Sequence, residues 1–392
     1  MRIAIFTDTF TPEINGVATS CASLFNVLKK NGHDVYLFTT GKETVIDEDK
    51  HIIRLKGKTL KKLYGYRLVF PKNRKAIYEF KKLNFDIIHV NTEYGVGLIG
   101  FNISKKFDIP LVYTYHTMLE NYTYYITHNL HLFDYFAKKM LRKLTKKYCN
   151  DSTEIIAPSI ATKDYLISLK INKYINVVPT GFDFTRFLNT DRNSKKILEI
   201  KKTLQIPDNY KIFLCLGRVA KEKSFDLIIQ YFNDFLLSHN YIKAKLLIVG
   251  DGPYLNELKK LVVKDNIGND VIFVGKVMQS EVNYYYALSD IYLNASITET
   301  QGLTYMEAMA SKTLLLTRRA NFLENVIIDY KNGFYFDNQK EFNEKIDFIL
   351  SLNEKQKEMI SNNALKTIDC YSDDTFYKNI MIAYNRALKD KY

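Results

Sequence analysis

Two glutamates in the C-terminal third of the chain have the type and spacing to hold a polar, anionic ligand. Glu299 and Glu307 lie eight residues apart in the stretch Glu299-Thr300-Gln301-Gly302-Leu303-Thr304-Tyr305-Met306-Glu307. If a helix begins near Gly302, Glu307 lies in its early turns and Glu299 lies in the loop before it. Backbone N–H groups at a helix N-terminus favour an anionic ligand, so both carboxylates are expected to face one such site.

A pair of cations lies upstream, directly after the apolar run 211–216. It stands in Gly217-Arg218-Val219-Ala220-Lys221-Glu222-Lys223. Arg218 offers a planar fork for two phosphate oxygens and Lys223 a compact point charge, so the two can stabilise the charge that grows on a departing diphosphate. Taken alone, these cations also fit ordinary surface charges, and either glutamate alone fits a polar turn that caps a core helix.

Together, the two motifs resemble glycosyltransferase family 4. The E-x7-E spacing of Glu299 and Glu307 and the string from Gly217 to Lys223, which is similar to the family's G-R-x-x-x-x-K, carry the resemblance. It extends over most of the chain. It implies the GT-B architecture, in which two doubly wound, Rossmann-like α/β domains face a cleft, and transfer with retention of the anomeric configuration.

The resemblance also implies a nucleotide-sugar donor site. Glu307 is expected to accept hydrogen bonds from the ribose hydroxyls, since a carboxylate can accept from both hydroxyls of a vicinal diol. Glu299 is expected to contact the transferred sugar, and Arg218 and Lys223 the diphosphate. The other expected donor contacts are small or backbone-mediated: Gly16, Gly217, Gly250, Gly252, Lys276, Val277, Gln301, Gly302 and Leu303.

His116 ends the strand-like run Tyr113-Thr114-Tyr115. A lone histidine fits a structural role, but the resemblance implies that this one touches the donor sugar near the reaction centre. With Arg218, Lys223 and Glu299 it completes the candidate catalytic set. The segment after it resembles the acceptor side of bacterial diacylglycerol glucosyltransferases, which makes Glu120 and Tyr122 candidate acceptor contacts.

Short apolar strands that alternate with helices predict two parallel sheets, each covered on both faces. The chain is expected to divide into an N-terminal domain, 1–182, and a C-terminal domain, 183–372, with an amphipathic helix at about 373–392 returning to the first. In the first domain we expect a helix at 18–30 and strands at 2–7, 34–40, 86–90, 111–115, 154–157 and 176–178. In the second we expect a helix from about 225 and strands at 211–216, 246–249, 271–274, 290–293 and 313–317.

Composition favours a cytoplasmic protein. The sequence contains no run of eighteen apolar residues, and its N-terminus enters an apolar strand without the features of a signal peptide. The four cysteines, Cys21, Cys149, Cys215 and Cys370, form no C-x-x-C pair. Free thiols in a reducing compartment are the interpretation that fits such isolated cysteines.

The net charge of +13 is concentrated in the first half, where 27 lysines and arginines face 17 acidic residues in 1–185. Phe136, Met140, Leu141 and Leu144 fall at helical spacing among some of these bases, a pattern typical of a helix on an anionic membrane. Solvated helix faces are the alternative, and no recognition motif supports nucleic-acid binding. The candidate membrane contacts are Lys56, Lys58, Lys61, Lys62, Arg67, Lys72, Arg74, Lys75, Lys138, Lys139, Arg142 and Lys143.

The expected reaction needs no metal cofactor, because Arg218 and Lys223 would neutralise the diphosphate, although the scheme leaves room for a non-essential Mg²⁺. The letters D-x-D occur only in Asp47-Glu48-Asp49, which reads as a solvated turn. We therefore expect transfer of a hexose, glucose from UDP-glucose, to 1,2-diacylglycerol by an enzyme peripheral on the inner face of the cell membrane. A soluble or polysaccharide-precursor acceptor, or a non-enzymatic sugar-nucleotide-binding protein, are the alternatives.

Overall fold

The computed structural model describes residues 1–13, 15–59, 67–118, 120, 123 and 131–389. The chain divides into two compact units. Unit 1 comprises Met1–Phe182 and Tyr371–Tyr392, and unit 2 comprises Asp183–Cys370. Each unit carries its own parallel sheet, as the strand and helix pattern predicts.

The sheet of unit 1 has the strand order β10-β9-β8-β7-β1-β2-β4-β3 and is parallel except where β3 meets β4. The chain moves from β1 outward to β2 and later returns to β7 on the other side of β1. Ligands of such sheets bind at this switch point, beyond the carboxyl ends of the strands. The elements up to residue 182 are β1 (Arg2–Phe6), α1 (Gly16–Lys30), β2 (Asp34–Gly41), β3 (Val45–Asp47), β4 (Ile52–Lys56), β5 (Lys58–Thr59), β6 (Arg67–Leu68), α2 (Arg74–Lys81), β7 (Ile87–Val90), α3 (Gly95–Phe107), β8 (Leu111–Thr114), α4 (His131–Asp151), β9 (Glu154–Ala157), α5 (Ile160–Ser168) and β10 (Ile175–Val177).

Unit 2 has the strand order β13-β12-β11-β14-β15-β16, with all neighbours parallel. Its strands are short and mostly buried, since helices cover both faces of the sheet. The elements are α6 (Thr185–Leu188), α7 (Lys195–Thr203), β11 (Lys211–Leu216), α8 (Phe225–Ser238), β12 (Ala244–Val249), α9 (Leu255–Lys264), β13 (Val271–Gly275), α10 (Val282–Leu288), β14 (Ile291–Asn294), α11 (Leu303–Ala310), β15 (Leu314–Arg318), β16 (Phe334–Phe336), α12 (Gln339–Ser351) and α13 (Glu354–Ile368).

The last helix, α14 (Asp373–Lys389), packs on the sheet of unit 1. Phe376, Ile380 and Tyr384 are buried in one apolar cluster with Ile87 and with residues of α1. The Tyr384 hydroxyl lies 2.8 Å from Nδ1 of His89 on β7. Near the end of the helix, Arg386 binds the nearly buried carboxylate of Glu154 through two nitrogens, at 3.1 and 2.9 Å.

The predicted α/β fold class is confirmed, and the sequence pattern missed its shortest strands. β3 and β4 lie in a segment that reads as a charged loop, and Asp47, placed in a solvated turn, in fact ends β3. β16 has only three residues, too few for a periodic pattern. Within the described residues, no helix combines the length and the apolar character needed to cross a membrane.

Replacing Tyr384 should destabilise unit 1. The Tyr384→Phe variant leaves a buried nitrogen of His89 without its partner, which should lower the free energy of unfolding by about 1–3 kcal/mol. Tyr384→Ala also opens a cavity and should cost about 3–5 kcal/mol. Urea unfolding followed by circular dichroism measures both. Tyr377→Phe is the matched control, because the Tyr377 hydroxyl bonds the partly exposed His33; an equal loss in the control would contradict the argument.

Candidate functional site

A left-handed glycine sets the start of helix α11. Gly302 has φ of 75° and ψ of 63°, and the helix begins at Leu303. A Cβ atom at Gly302 would lie 2.6 Å from a ring carbon of Tyr305 and 2.9 Å from one of Phe322. Position 302 therefore needs glycine for both its conformation and its packing, and Gln301 before it is buried.

Glu307 lies in α11 with only 4% of its surface exposed. Its Oε2 accepts a hydrogen bond from the Tyr286 hydroxyl at 2.8 Å, and its Oε1 accepts one from Nε2 of Gln279 at 3.2 Å. Burial raises the pKa of this carboxyl, while Tyr286, the charge of Arg186 and Gln279 act in the opposite direction. Each carboxylate oxygen can accept two hydrogen bonds, so this pair of oxygens retains capacity for a ligand.

The structure brings three of the four candidate catalytic residues together in unit 2. Nζ of Lys223 forms an ion pair with Glu299, and Arg218 forms one with Glu222, whose side chain is 6% exposed. The fully buried Ser296 links the two pairs: its hydroxyl lies 3.1 Å from the backbone oxygen of Glu222 and 3.2 Å from Oε1 of Glu299. Both candidate phosphate-binding cations therefore already have a carboxylate partner.

The glycines that follow the strands of unit 2 are required by backbone conformation, by close packing or by both. Gly217 and Gly250 directly follow neighbouring strands with φ of 144° and 139°. A Cβ atom on Gly250 would lie 1.8 Å from the backbone oxygen of Gly217, and one on Gly252 would lie 2.3 Å from that of Val219. Lys276 is exposed and Val277 is partly buried. Both directly follow β13, so they lie at the same end of the sheet as Gly217 and Gly250, beyond the carboxyl ends of the strands.

His116 follows β8 in unit 1. Its Nε2 lies 2.9 Å from Oδ1 of Asn91, which follows the adjacent strand β7. Burial lowers the pKa of His116 to about 4, so the ring is neutral at physiological pH. Gly16 is the exposed first residue of α1, whose N-terminus is capped by Oδ1 of Asn15, the acceptor of a hydrogen bond from the Ala18 nitrogen at 2.9 Å.

Two acids, the partly buried Asp8 and the buried Glu93, hold the loops at the switch point of unit 1. Asp8, after β1, accepts hydrogen bonds from the Val96 nitrogen at 2.8 Å and the Thr92 hydroxyl at 2.7 Å. Glu93, after β7, accepts one from the Tyr113 hydroxyl at 2.5 Å, and burial raises its pKa to about 7. Among the described residues, no three histidine, cysteine or acidic side chains converge as a metal site.

The candidate acceptor contact Glu120 forms an ion pair with Arg142 of α4, which sequence assigned to the membrane surface. Its carboxylate is therefore engaged by a basic residue of that helix. Tyr122, the second candidate, lies outside the described residues, as do Lys61 and Lys62 of the basic set.

Part of the remaining basic surface is neutralised by acids. Lys75 binds the buried Glu79 at 2.9 Å, and Lys138 binds Asp134 at 2.7 Å. Arg67 lies 3.5 Å from Glu13. Within the described part of the chain, six exposed members of the basic set form no ion pair with an acid: Lys56, Lys58, Lys72, Arg74, Lys139 and Lys143.

Helix α4 combines several of these bases with exposed apolar side chains. Leu132, Phe133, Tyr135, Phe136 and Met140 are each 59–70% exposed. Leu144, expected on the same face as Phe136 and Met140, instead packs against the core of unit 1, and Leu141 is partly buried. The apolar surface therefore belongs to the first half of the helix rather than to its whole length.

Sequence reasoning missed the residues that support the site. Gln279, Tyr286 and Asn91 come from other elements and reach their partners only through the tertiary fold. Glu222 and Ser296 stand inside or beside the recognised motifs, and their small distance in sequence from Arg218 and Glu299 was the available signal.

Comparison with protein families assigns both halves of the chain. Residues 14–186 match the family described as Glycosyltransferase Family 4, and residues 196–366 match Glycosyl transferases group 1.

Two curated relatives carry the same description, alpha-monoglucosyldiacylglycerol synthase. The protein from Streptococcus pneumoniae is 36% identical over 334 residues, which cover 85% of this chain and 74% of the relative. The protein from Acholeplasma laidlawii is 32% identical over an alignment that covers 100% of both chains.

Solved structures support the fold. Anabaena HepE in complex with UDP and glucose superposes with a TM-score of 0.74 at 18% identity, covering 98% of this chain and 99% of that chain. At this identity the likeness concerns the fold alone.

The Gly302→Ala variant should be destabilised by about 1–3 kcal/mol, because alanine must adopt a left-handed conformation and contact two aromatic rings. Urea unfolding of unit 2 measures the loss. Gly268→Ala is the matched control, since no atom lies within 4 Å of a Cβ there and its backbone is not left-handed. Equal stability of the two variants would show that Gly302 is not needed for the turn.

Proposed function

The chain belongs to glycosyltransferase family 4, and from this premise we propose that it transfers glucose from UDP-glucose to the free hydroxyl of 1,2-diacylglycerol, giving an α-glucolipid. The observation that supports diacylglycerol as the acceptor is the 32% identity with the Acholeplasma laidlawii alpha-monoglucosyldiacylglycerol synthase over the full length of both chains. The donor linkage and the product are both α, so the reaction retains configuration.

In this proposal, unit 2 holds the donor. Glu307 accepts hydrogen bonds from the ribose hydroxyls, and Arg218 and Lys223 bind the diphosphate. Donor binding exchanges the ion pair of Lys223 with Glu299 for two new contacts, in which the cation meets phosphate oxygens and the carboxylate meets sugar hydroxyls. The phosphate thus replaces Glu299 as the partner of Lys223, and sugar hydroxyls replace Lys223 as the partner of Glu299. Neither charged side chain is left without a polar partner.

The chemical step breaks the bond between the anomeric carbon and the diphosphate oxygen and forms the bond to the lipid hydroxyl oxygen on the same face. The hydroxyl proton passes to the leaving phosphate oxygen. Arg218 and Lys223 stabilise the negative charge that develops there, which acts on the transition state more than on the ground state. The proposed scheme therefore requires no metal cofactor, and a non-essential Mg²⁺ would act only on the donor phosphates.

The Lys223→Ala variant should lower kcat by about 100-fold or more, with a smaller change in the KM for UDP-glucose, because its charge acts mainly on the departing diphosphate. Lys221→Ala is the control: Lys221 is exposed in the same short 3₁₀ turn, and its removal should leave kcat within about twofold of the parent. Steady-state transfer to diacylglycerol, with and without a chelator, measures both. Loss of parent activity in the chelator, or equal kcat in both variants, would contradict the role given to Lys223.

Unit 1 is proposed to bind the membrane that contains the acceptor, as a peripheral protein on the inner face of the cell membrane. Leu132, Phe136, Lys139, Met140 and Lys143 follow helical spacing along one face of α4. Exposed apolar side chains on such a face can enter the lipid interface, while the lysines meet anionic headgroups, each worth about 1 kcal/mol.

The double substitution Phe133→Ser and Phe136→Ser should weaken binding to phosphatidylglycerol vesicles by at least about tenfold, because each phenylalanine loses about 1.5–3 kcal/mol of apolar burial. Sedimentation at physiological salt measures the bound fraction. Ile382→Ser serves as control, since Ile382 is 56% exposed on α14. Parent-like binding of the double variant, or a parent that does not sediment with the vesicles, would remove α4 as the docking surface.

The reaction itself is tested by incubating the protein with diacylglycerol vesicles and labelled UDP-glucose, UDP-galactose or GDP-mannose. We expect label in the lipid from UDP-glucose, with an α anomeric signal by NMR. Transfer to a soluble acceptor without lipid labelling would overturn the lipid assignment, and labelling from another donor would overturn the choice of UDP-glucose.

A further inference from the structure

Asn91 occupies the switch point of the unit 1 sheet. It follows β7, the neighbour of both β1 and β8, and its backbone nitrogen donates to the Phe6 oxygen at 2.9 Å. Its side chain is buried, with 2% of the residue exposed. Its Oδ1 lies 2.9 Å from Nε2 of His116.

This contact continues a regular pattern across the two strands. His89 lies on β7 with Asn91 two residues further on, just after the strand ends, and Thr114 ends β8 with His116 two residues beyond it. Successive side chains on one face of a strand are two residues apart. Nε2 of His89 bonds the Thr114 hydroxyl at 2.7 Å, so the Asn91–His116 pair is the next polar contact along the same face.

The chemistry of the pair defines the state of His116. Oδ1 of Asn91 can only accept a hydrogen bond, so Nε2 must carry the proton. A neutral imidazole protonated on Nε2 has a lone pair on Nδ1. Burial keeps the ring neutral by lowering its pKa to about 4, and the titratable neighbour on β7, His89, is itself held neutral with a pKa of about 3. Within the described part of the chain, no residue bonds Nδ1 of His116.

The side-chain amide of Asn91 is only partly satisfied by hydrogen bonds. Its Nδ2 is buried and has no hydrogen-bond partner among the described residues. A buried donor without a partner destabilises the folded state, because it has lost its hydrogen bonds to water. Stability alone does not explain an asparagine here, whereas holding the imidazole of His116 does.

We propose that Asn91 is a positioning residue that holds His116 as the neutral tautomer protonated on Nε2, so that Nδ1 accepts a hydrogen bond from a substrate hydroxyl. This rests on the proposed function, in which His116 meets either the transferred sugar or the glycerol hydroxyl. In this role Asn91 makes no contact with substrate.

Two variants of Asn91 distinguish positioning from general structural support. In Asn91→Asp, a carboxylate replaces the amide and should raise the pKa of His116 by about 1–3 units. Protonation then turns Nδ1 into a donor, so the ratio of variant to parent kcat/KM should fall between pH 8 and pH 5.5, by about fourfold if the pKa rises by 2 and by about thirtyfold if it rises by 3. In Asn91→Ala no new charge is present, and the loss should be the same across that range. A flat ratio for Asn91→Asp, or parent kcat/KM in Asn91→Ala, would overturn the proposal.

The substrate that carries the hydroxyl is identified by which KM changes in the Asn91 variants. A changed KM for UDP-glucose, with UDP binding unaltered, assigns it to the sugar, and a changed KM for diacylglycerol assigns it to the lipid. Both results support an accepting Nδ1.

A second measurement needs neither activity nor a variant of Asn91. In the parent protein labelled with ¹⁵N-histidine, the His116 signals, assigned by their loss in His116→Gln, should report a neutral ring protonated on Nε2 at pH 6. A ring protonated on Nδ1 or on both nitrogens would refute the inference. Because this result does not depend on any acceptor, failure of lipid transfer would leave it standing, and its own failure would leave the proposed reaction untouched.

Discussion

The ion pair between Lys223 and Glu299 is the interaction on which the site in unit 2 depends. It joins the loop after β11 to the loop after β14, and the buried hydroxyl of Ser296 fixes their spacing. Both side chains are about one-fifth exposed, so neither ion is deeply desolvated, yet each needs a partner. An isolated charge in this position would be costly, whereas an exchangeable pair is not. The pairing that stabilises these two loops also places a cation beside a carboxylate, the two groups that the proposed donor contacts require.

The polar residues at the switch point of unit 1 have neutral hydrogen-bond partners, whereas those of the unit 2 site form ion pairs. Desolvation lowers the pKa of the partly buried His116, and Glu93 and Asp8 are held by hydroxyl and backbone donors rather than by cations. Such groups can recognise hydroxyls and order loops. Exposed cations of unit 1 include Lys139 and Lys143 of α4, beside exposed apolar side chains. This division fits the proposal that unit 2 supplies the cations for the donor diphosphate and unit 1 the surface that meets the lipid.

What the sequence could predict was local. The start of α11 and the position of Glu307 in that helix follow from a glycine and an apolar run, and the strands of both sheets follow from short buried segments. Tyr286 was missed because its partner Glu307 lies on another helix, and Ser296 was missed because the backbone oxygen of Glu222 lies in another loop. β16 was missed because three residues carry no period. The basic residues were counted correctly but not paired, although Lys75 and Lys82 stand four and three residues from Glu79, a helical spacing that indicates both ion pairs. The assignment of the site residues to a donor and an acceptor stays a prediction.

The return of α14 to unit 1 has a consequence for the chemistry at the end of β7. Tyr384 bonds one nitrogen of His89, and the other nitrogen bonds Thr114, so a continuous path of hydrogen bonds runs from the last helix across two strands. The next pair on that face is Asn91 with His116. Since both nitrogens of His89 are occupied and its ring stays neutral, neither strand can slide or turn at this point without losing a buried hydrogen bond. Besides covering the core, α14 therefore fixes the ends of β7 and β8, after which Asn91 and His116 lie.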